Sequence, residues 1–402
     1  MTDQTPTDWT AIGEAQLPDA VALRRAIHAE PEVGLHCPLT AARVKAALAG
    51  LPLTIHEGTR TTGFVAVLNG GAGGNGRTVL LRGDHDALPM TEATGLPFAS
   101  TIEGAMHACG HDAHTAMLVG AAKALCARKE ELPGTVVFMF QPGEEGHHGA
   151  REMIADGLID VAKADGAFAL HVSPNMGAGT VVSRAGPLLA STDTLRVTVT
   201  GRGGHAAMPH DSVDPIPVAC EIVLALNTMI ARTVPVADPA VLTMTQIHGG
   251  SSHNIIPNEV TLMGTLRTLS EETRAKTRAA ALRIAEKVAA AHGCTVEAEI
   301  DEGYPVTLND ARAVALMRAA TAAVGADWVP MGAPMMGGED FSYVLQGVPG
   351  AMAFIGAAPA GSDPATNPGL HNTAMTIEED AMATGIALHC AMAERFLEKG
   401  WE

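Results

Sequence analysis

A thiol and an imidazole stand two residues apart in the stretch His107-Ala108-Cys109-Gly110-His111-Asp112-Ala113-His114. In a turn, both can face one centre. Thiolate with imidazole suits zinc and its neighbours, and nearby carboxylates widen the choice towards manganese. Three apolar, strand-like runs end in further polar side chains. TVLLR (78–82) continues through Gly83 into Asp84-His85-Asp86, TVVFMF (135–140) through Gln141-Pro142-Gly143 into Glu144-Glu145, and AFAL (167–170) into His171. In open α/β sheets, sites form beyond the carboxyl ends of strands, so these ends would bring Asp, Glu and His to one edge. Alone, each of these side chains is an ordinary buried thiol, core histidine or solvated turn. Together they point to a metal centre.

Glu144 and Glu145 need separate roles. Neighbouring carboxylates repel unless a cation compensates them, so one can bind metal while the other takes a proton from water. His371, in the loop ATNPGLHN, is a further candidate ligand. The segment MGGEDF (336–341) places glycines and carboxylates at a helix start, which fits either a capped helix or support of the site. Later in the chain, GRGGHAAMPH (201–210), His253-Asn254 and Arg267 could bind a substrate carboxylate or a developing oxyanion.

The elements that must position these residues alternate. Helical periodicity covers 18–30, 40–48 and 111–127, and strands are predicted over 63–68, 78–82, 135–140 and 167–172. This is an α/β pattern with a mainly parallel sheet flanked by helices. From about residue 187 the texture changes to strand (195–200), helix (215–233), two strands (241–247, 259–266), helix (271–292) and strand (295–300). That order is the split βαβ of a smaller, ferredoxin-like α+β domain. Helices over 311–324, 341–345 and 378–398 and a strand over 351–355 then restore the first texture. The expected organisation is therefore one domain made of 1–186 and 302–402, interrupted by an inserted domain of 187–301.

The charge balance excludes other classes. Lys plus Arg number 26 against 44 Asp plus Glu, a formal −18, which disfavours a nucleic-acid binder. No uninterrupted apolar run reaches the ~18 residues of a membrane span, and the first ten residues lack the pattern of a signal peptide. No membrane partner and a cytoplasmic location are expected. The six cysteines lie far apart and do not form a disulfide framework. Gly71–Thr78, GAGGNGRT, mimics a phosphate-binding loop, but a strand rather than a helix follows it, so it reads as a turn. Neither G-x-S-x-G nor H-E-x-x-H occurs.

RGDHDALP, HACGHDAHTAMLVGAA, QPGEEGHHGA, ALHV, GRGGHAAMPHDSVDPI, SHNIIPN, GTLRT, MGGEDF and GLHN follow in order along nearly the whole chain. This set resembles the bacterial hippurate hydrolase and aminoacylase branch of the dizinc metallopeptidases, to which plant hydrolases of auxin–amino-acid conjugates are similar. The resemblance implies two divalent metal ions per subunit (Zn or Mn, with Co or Ni also possible), held by Cys109, His111, Glu145, His171 and His371. It implies Glu144 as general base, Asp86 as support of the catalytic centre, His205 as a residue that reaches a partner's site in dimers, and Asn254 and Arg267 near the substrate. Asp84 stands where the wider superfamily has a His ligand and is not counted as one. His85, His147 and His148 depart from the usual pattern. The implied activity is hydrolysis of small N-acyl amino acids, with a dipeptidase or carboxypeptidase as the alternative. The implied assembly is a homodimer formed through the inserted domain, or a homotetramer.

Overall fold

The computed structural model describes residues 7–74 and 76–402, so Asn75 of the glycine-rich turn and the first six residues lie outside the described residues. The described chain divides into two compact units. One comprises 7–188, 308–333 and 340–402; the other comprises 189–307 and 334–339. Compared with bounds at 187 and 301, the segment 334–339 joins the second unit because Ala190 N–H is shared between the carbonyls of Met335 (3.1 Å) and Gly337 (2.9 Å).

The first unit is built on an eight-stranded sheet. Thr135–Gln141, Thr78–Asp84, Gly166–Ser173 and Gly350–Gly356 lie side by side and parallel at its centre. These strands are buried almost throughout and mostly apolar, as in a sheet covered by helices on both faces, with polar residues gathered towards their carboxyl ends. Their carboxyl ends share one edge, with Asp84 paired opposite Gln141. Antiparallel strands Phe64–Asn69 and Thr54–Glu57 extend the sheet on one side. Phe64 stacks on Phe140 with centroids 4.9 Å apart.

Helix Trp9–His28 starts nine residues before Pro18, where the sequence reading placed its beginning. The Asp8 carboxylate accepts the Ala11 N–H and caps the helix, which then runs through the proline. Helix His111–Ala127 is buried on nearly every side. It packs against Ala381–Lys399 so closely that a Cβ on Gly385 would fall 2.0 Å from Met117 Sδ.

The second unit has a four-stranded antiparallel sheet in the order Ala240–Gly249, Glu259–Thr268, Asp193–Thr200, Thr295–Glu302. Leu195, Val197 and Val199 point to the covered face and pack against Val218, Ile222 and Leu226 of helix Pro215–Thr233 and Ala281 and Ala285 of helix Glu271–Ala291. Helix Pro215–Thr233 is long and apolar enough to cross a membrane by length and composition. Here one of its faces fills this core while Leu224 stays 67% exposed.

A charged clasp closes the second unit. Buried Asp193 accepts two hydrogen bonds from Arg274, Nε at 2.9 Å and Nη2 at 2.8 Å, and Arg274 Nη2 also donates to the Gly303 carbonyl at 3.0 Å. Arg274→Ala leaves the Asp193 carboxylate buried and unmatched. Losses of this kind cost ~3–5 kcal/mol. Urea unfolding followed by circular dichroism should show a clearly lower midpoint, and an unchanged midpoint would contradict the assigned weight of the clasp.

Candidate metal centre

The turn between Cys109 and His111 requires glycine. Gly110 has φ of 87°, and a Cβ there would lie 2.3 Å from Val172 Cγ2. His111 begins the following helix. Its first turn is anchored through the buried carboxylate of Asp112, which accepts from Arg24 Nε (3.0 Å) and contacts His28 Nδ1 (2.8 Å). Burial would raise the Asp112 pKa, but the charges of Arg24 and His28 hold it far below the usual carboxylate range.

Asp86, just past its strand, organises the neighbouring loop. Its two carboxylate oxygens accept the backbone N–H groups of Glu144 and Glu145, each at 3.0 Å. The backbone carbonyl of Asp86 faces His111 Nδ1 at 3.0 Å. This leaves His111 Nε2 turned towards the centre, buried and, among the described residues, without a hydrogen-bond partner, as is Glu145 Oε1. His171 Nδ1 faces the Val172 carbonyl at 2.7 Å, and its Nε2 lies 3.4 Å from Cys109 Sγ. His371 sits on a loop with φ of 64°, its N–H bonded to the Ala108 carbonyl at 2.7 Å and its Nε2 3.1 Å from Glu145 Oε1.

These side chains form two three-residue donor sets, Cys109–His111–His171 and Cys109–Glu145–His371, which share the thiol. A third, His111–Glu144–Glu145, overlaps them. The structure thus brings Cys109, His111, Glu145, His171, His371 and Glu144 together, over Asp86. Electrostatics test the fit. Burial pushes the Cys109 thiol well above its usual range, although His111 opposes this. Burial also disfavours a proton on His111, yet Asp84 and Cys109 draw one onto it. The surplus negative charge that holds that proton would hold a cation instead. Burial, aided by His114, keeps His171 neutral and able to ligate. The two donor sets, which share Cys109, would suit a pair of divalent cations.

Asp84, His111 and His114 also lie within reach of one another. They do not make a third site, because Asp84 and His114 are already engaged by other groups. His114 Nδ1 meets Asp84 Oδ1 at 2.6 Å, His114 Nε2 accepts the Val172 N–H at 2.8 Å, and Arg82 Nη1 lies 2.6 Å from Asp84 Oδ2. Arg82 further reaches Gln141 Oε1 (2.9 Å) and Asp340 Oδ1 (3.1 Å), and the Asp340 N–H donates to Glu144 Oε1 at 3.3 Å. The sequence reading gave Arg82 and His114 no role. Its available signal was Arg82 itself, a charge inside an otherwise apolar buried strand. Among the departures noted in the sequence, none joins a candidate donor set among the described residues. His85 is fully buried, and burial lowers it to about 4. His147 is exposed, and His148 Nδ1 bonds Tyr343 Oη at 2.9 Å.

His205, Asn254 and Arg267 belong to the second unit. His205 pairs with Ile255 in a two-stranded ladder and is exposed, and the Asn254 carbonyl accepts the Ala206 N–H at 3.1 Å. The ladder therefore places His205 and Asn254 side by side. Arg267, half-buried on strand Glu259–Thr268, donates from Nε to Thr265 Oγ1 at 3.1 Å.

Residues 80–395 match the model of peptidase family M20/M25/M40. The chain is 36% identical over 382 residues to N-acetyl-L-cysteine deacetylase of Bacillus subtilis, covering 95% of this chain and 89% of that one. It is 34% identical to IAA-amino acid hydrolase ILR1-like 4 of Arabidopsis thaliana (94% and 85% covered) and 34% identical to thermostable carboxypeptidase 2 of Saccharolobus solfataricus (94% and 95%). The crystal structure of the Bacillus subtilis YXEP protein, described as a dinuclear metal binding peptidase from the M20 family, superposes with a TM-score of 0.83 at 31% identity, covering 96% of this chain and 99% of that one.

Asp86→Ala removes the acceptor that sets both glutamates. Changes in such supporting partners cost about 10–100-fold in metal affinity or activity. Chelator competition on the zinc-loaded protein should show that loss of affinity. Wild-type affinity in a folded Asp86→Ala protein would remove Asp86 from this role.

Proposed function

The chain belongs to peptidase family M20/M25/M40, and from that membership we propose that it cleaves the amide bond of N-acyl-L-amino acids, hippurate-like or N-acetyl, to a carboxylic acid and a free amino acid. The observation that carries this reading is the pair of donor sets sharing Cys109, with Glu144 beside them. Cys109, His111 and His171 would hold one divalent ion, and Cys109, Glu145 and His371 the other. When bound, the ions supply Lewis-acid activation of water and of the amide carbonyl.

The chain's own residues do the rest. The Glu144 carboxylate takes a proton from the attacking water, holds it on oxygen, and returns it to the departing amine nitrogen. Its neighbours fit that task, since Asp86 fixes its backbone and the Asp340 N–H steadies Oε1. Arg267 makes no ion pair with an acidic side chain among the described residues, which suits binding of a substrate carboxylate. His205 and Asn254 are assigned to the substrate's carbonyl end. The ions are assigned as zinc or manganese, with cobalt or nickel as substitutes.

The assembly is assigned as a homodimer. Helix Pro215–Thr233 and edge strand Ala240–Gly249 expose Leu224, Val241 and Ile247 on the second unit, an apolar face suited to a second copy. The six free cysteines suit a reducing, cytoplasmic setting. A carboxypeptidase reading is favoured by the name of the Saccharolobus relative. Turnover of hippurate and N-acetyl amino acids against simple dipeptides, with Zn²⁺, Mn²⁺, Co²⁺ and Ni²⁺ in turn, separates the two.

Glu144→Gln should keep its metal and lose about 10²–10⁴-fold in turnover, the usual range for a general base. Near-wild-type turnover with metal content verified would remove Glu144 from the mechanism. Light scattering should report a dimer for the wild type and a monomer for Leu224→Asp. A dimer that survives the charge would place the interface elsewhere.

A further inference from the structure

The candidate ligands are not equally well held. His111 and His171 are buried on a helix and a strand, and the second ring nitrogen of each faces a backbone carbonyl. His371 stands on a loop, its side chain 54% exposed, and no hydrogen bond to its Nδ1 occurs among the described residues. Its aim depends on the backbone, which at residue 371 is in the left-handed region that a non-glycine residue seldom occupies.

Two asparagines hold that loop. Asn175 follows the strand that carries His171, and its Nδ2 donates to the carbonyls of Pro364 and Asn367, each at 3.0 Å. Asn367 answers from the other side, its Nδ2 donating to the Pro174 carbonyl at 2.8 Å and to Ser362 Oγ at 2.9 Å. The approach is close: a Cβ on Gly369 would lie 3.0 Å from Asn175 Oδ1. The loop is thereby tied to the exit of the His171 strand, four residues before His371. The N–H of His371 bonded to the Ala108 carbonyl is a second tie, next to Cys109.

We propose that Asn175 and Asn367 form a reciprocal clamp that positions His371, and that the cation of the Cys109–Glu145–His371 set is released first when the clamp is opened. The residues are positioning residues, acting through His371. The inference rests on the reading of His371 as a ligand. An asparagine is required at 175 because only its amide N–H₂ supplies two donors to two carbonyls at this reach; aspartate has the same shape and would face both carbonyls with negative charge.

The test uses full-length enzyme loaded with Zn²⁺, challenged with graded EDTA, with residual zinc measured by atomic absorption. Asn175→Ala should release one of two equivalents about 10–100-fold more readily, the range seen when the support of a ligand is lost. The other equivalent should leave as in the wild type. Asn175→Asp should behave like Asn175→Ala, and Asn367→Ala serves as a second opening of the same clamp. His371→Ala should lose one equivalent outright, and adding Asn175→Ala to it should change nothing further. Wild-type release from both clamp variants, with one equivalent lost from His371→Ala, would overturn the clamp. Equal weakening of both equivalents would also overturn it, since that is general loosening. Two retained equivalents in His371→Ala would instead defeat the ligand reading beneath it.

Discussion

Cys109 and His111 can face the same point because residue 110 has no side chain. A methyl group there would collide with Val172, and the backbone adopts a left-handed angle that a side chain resists. The strand carrying Val172 also carries His171, so one close approach sets the spacing of three candidate ligands. The helix that begins at His111 is then locked by buried contacts along its length, and its start is fixed by Asp112 against Arg24 and His28. A rigid support of this kind is what a small-radius cation needs, since a ligand misplaced by an ångström is a lost ligand.

Much of this was legible in the sequence because the signals are local. Parallel strands buried on both faces read as apolar runs, and their polar tails name the edge where a site can form. The alternation of Leu195, Val197 and Val199 marks a sheet covered on one side. The chain's own punctuation misled at Pro18, where a proline that often opens a helix instead lies within one already capped by Asp8. Short elements such as Thr180–Ser183 and Asp327–Pro330 gave no pattern, because four residues at the side of a sheet show neither period clearly. The return of residues 334–339 to the second unit depends on backbone hydrogen bonds, which side-chain types do not announce.

The partners of the buried charges were the least legible part. Arg82 was visible as an anomaly, but its partners Asp84, Gln141 and Asp340 come from positions up to 258 residues away. His114 stood inside a recognisable motif with nothing local to separate it from His111. Its distinction lies in three dimensions: both its nitrogens are engaged, one by a carboxylate and one by a backbone N–H, and burial lowers its pKa. A neutral imidazole so satisfied is a spacer, while His111 Nε2, with no hydrogen-bond partner among the described residues, belongs to a candidate donor set.

This difference explains why an aspartate can stand at position 84 without becoming a ligand. Arg82 lies against one of its oxygens and His114 against the other, so both oxygens have partners within the protein. The remaining acidic groups at the centre are the Cys109 thiol, Glu144, Glu145 and Asp86. Two divalent cations would bring positive charge to the donor sets that these groups share. With Asp84 held by Arg82 and His114, the donor sets that share Cys109 are left to suit divalent ions.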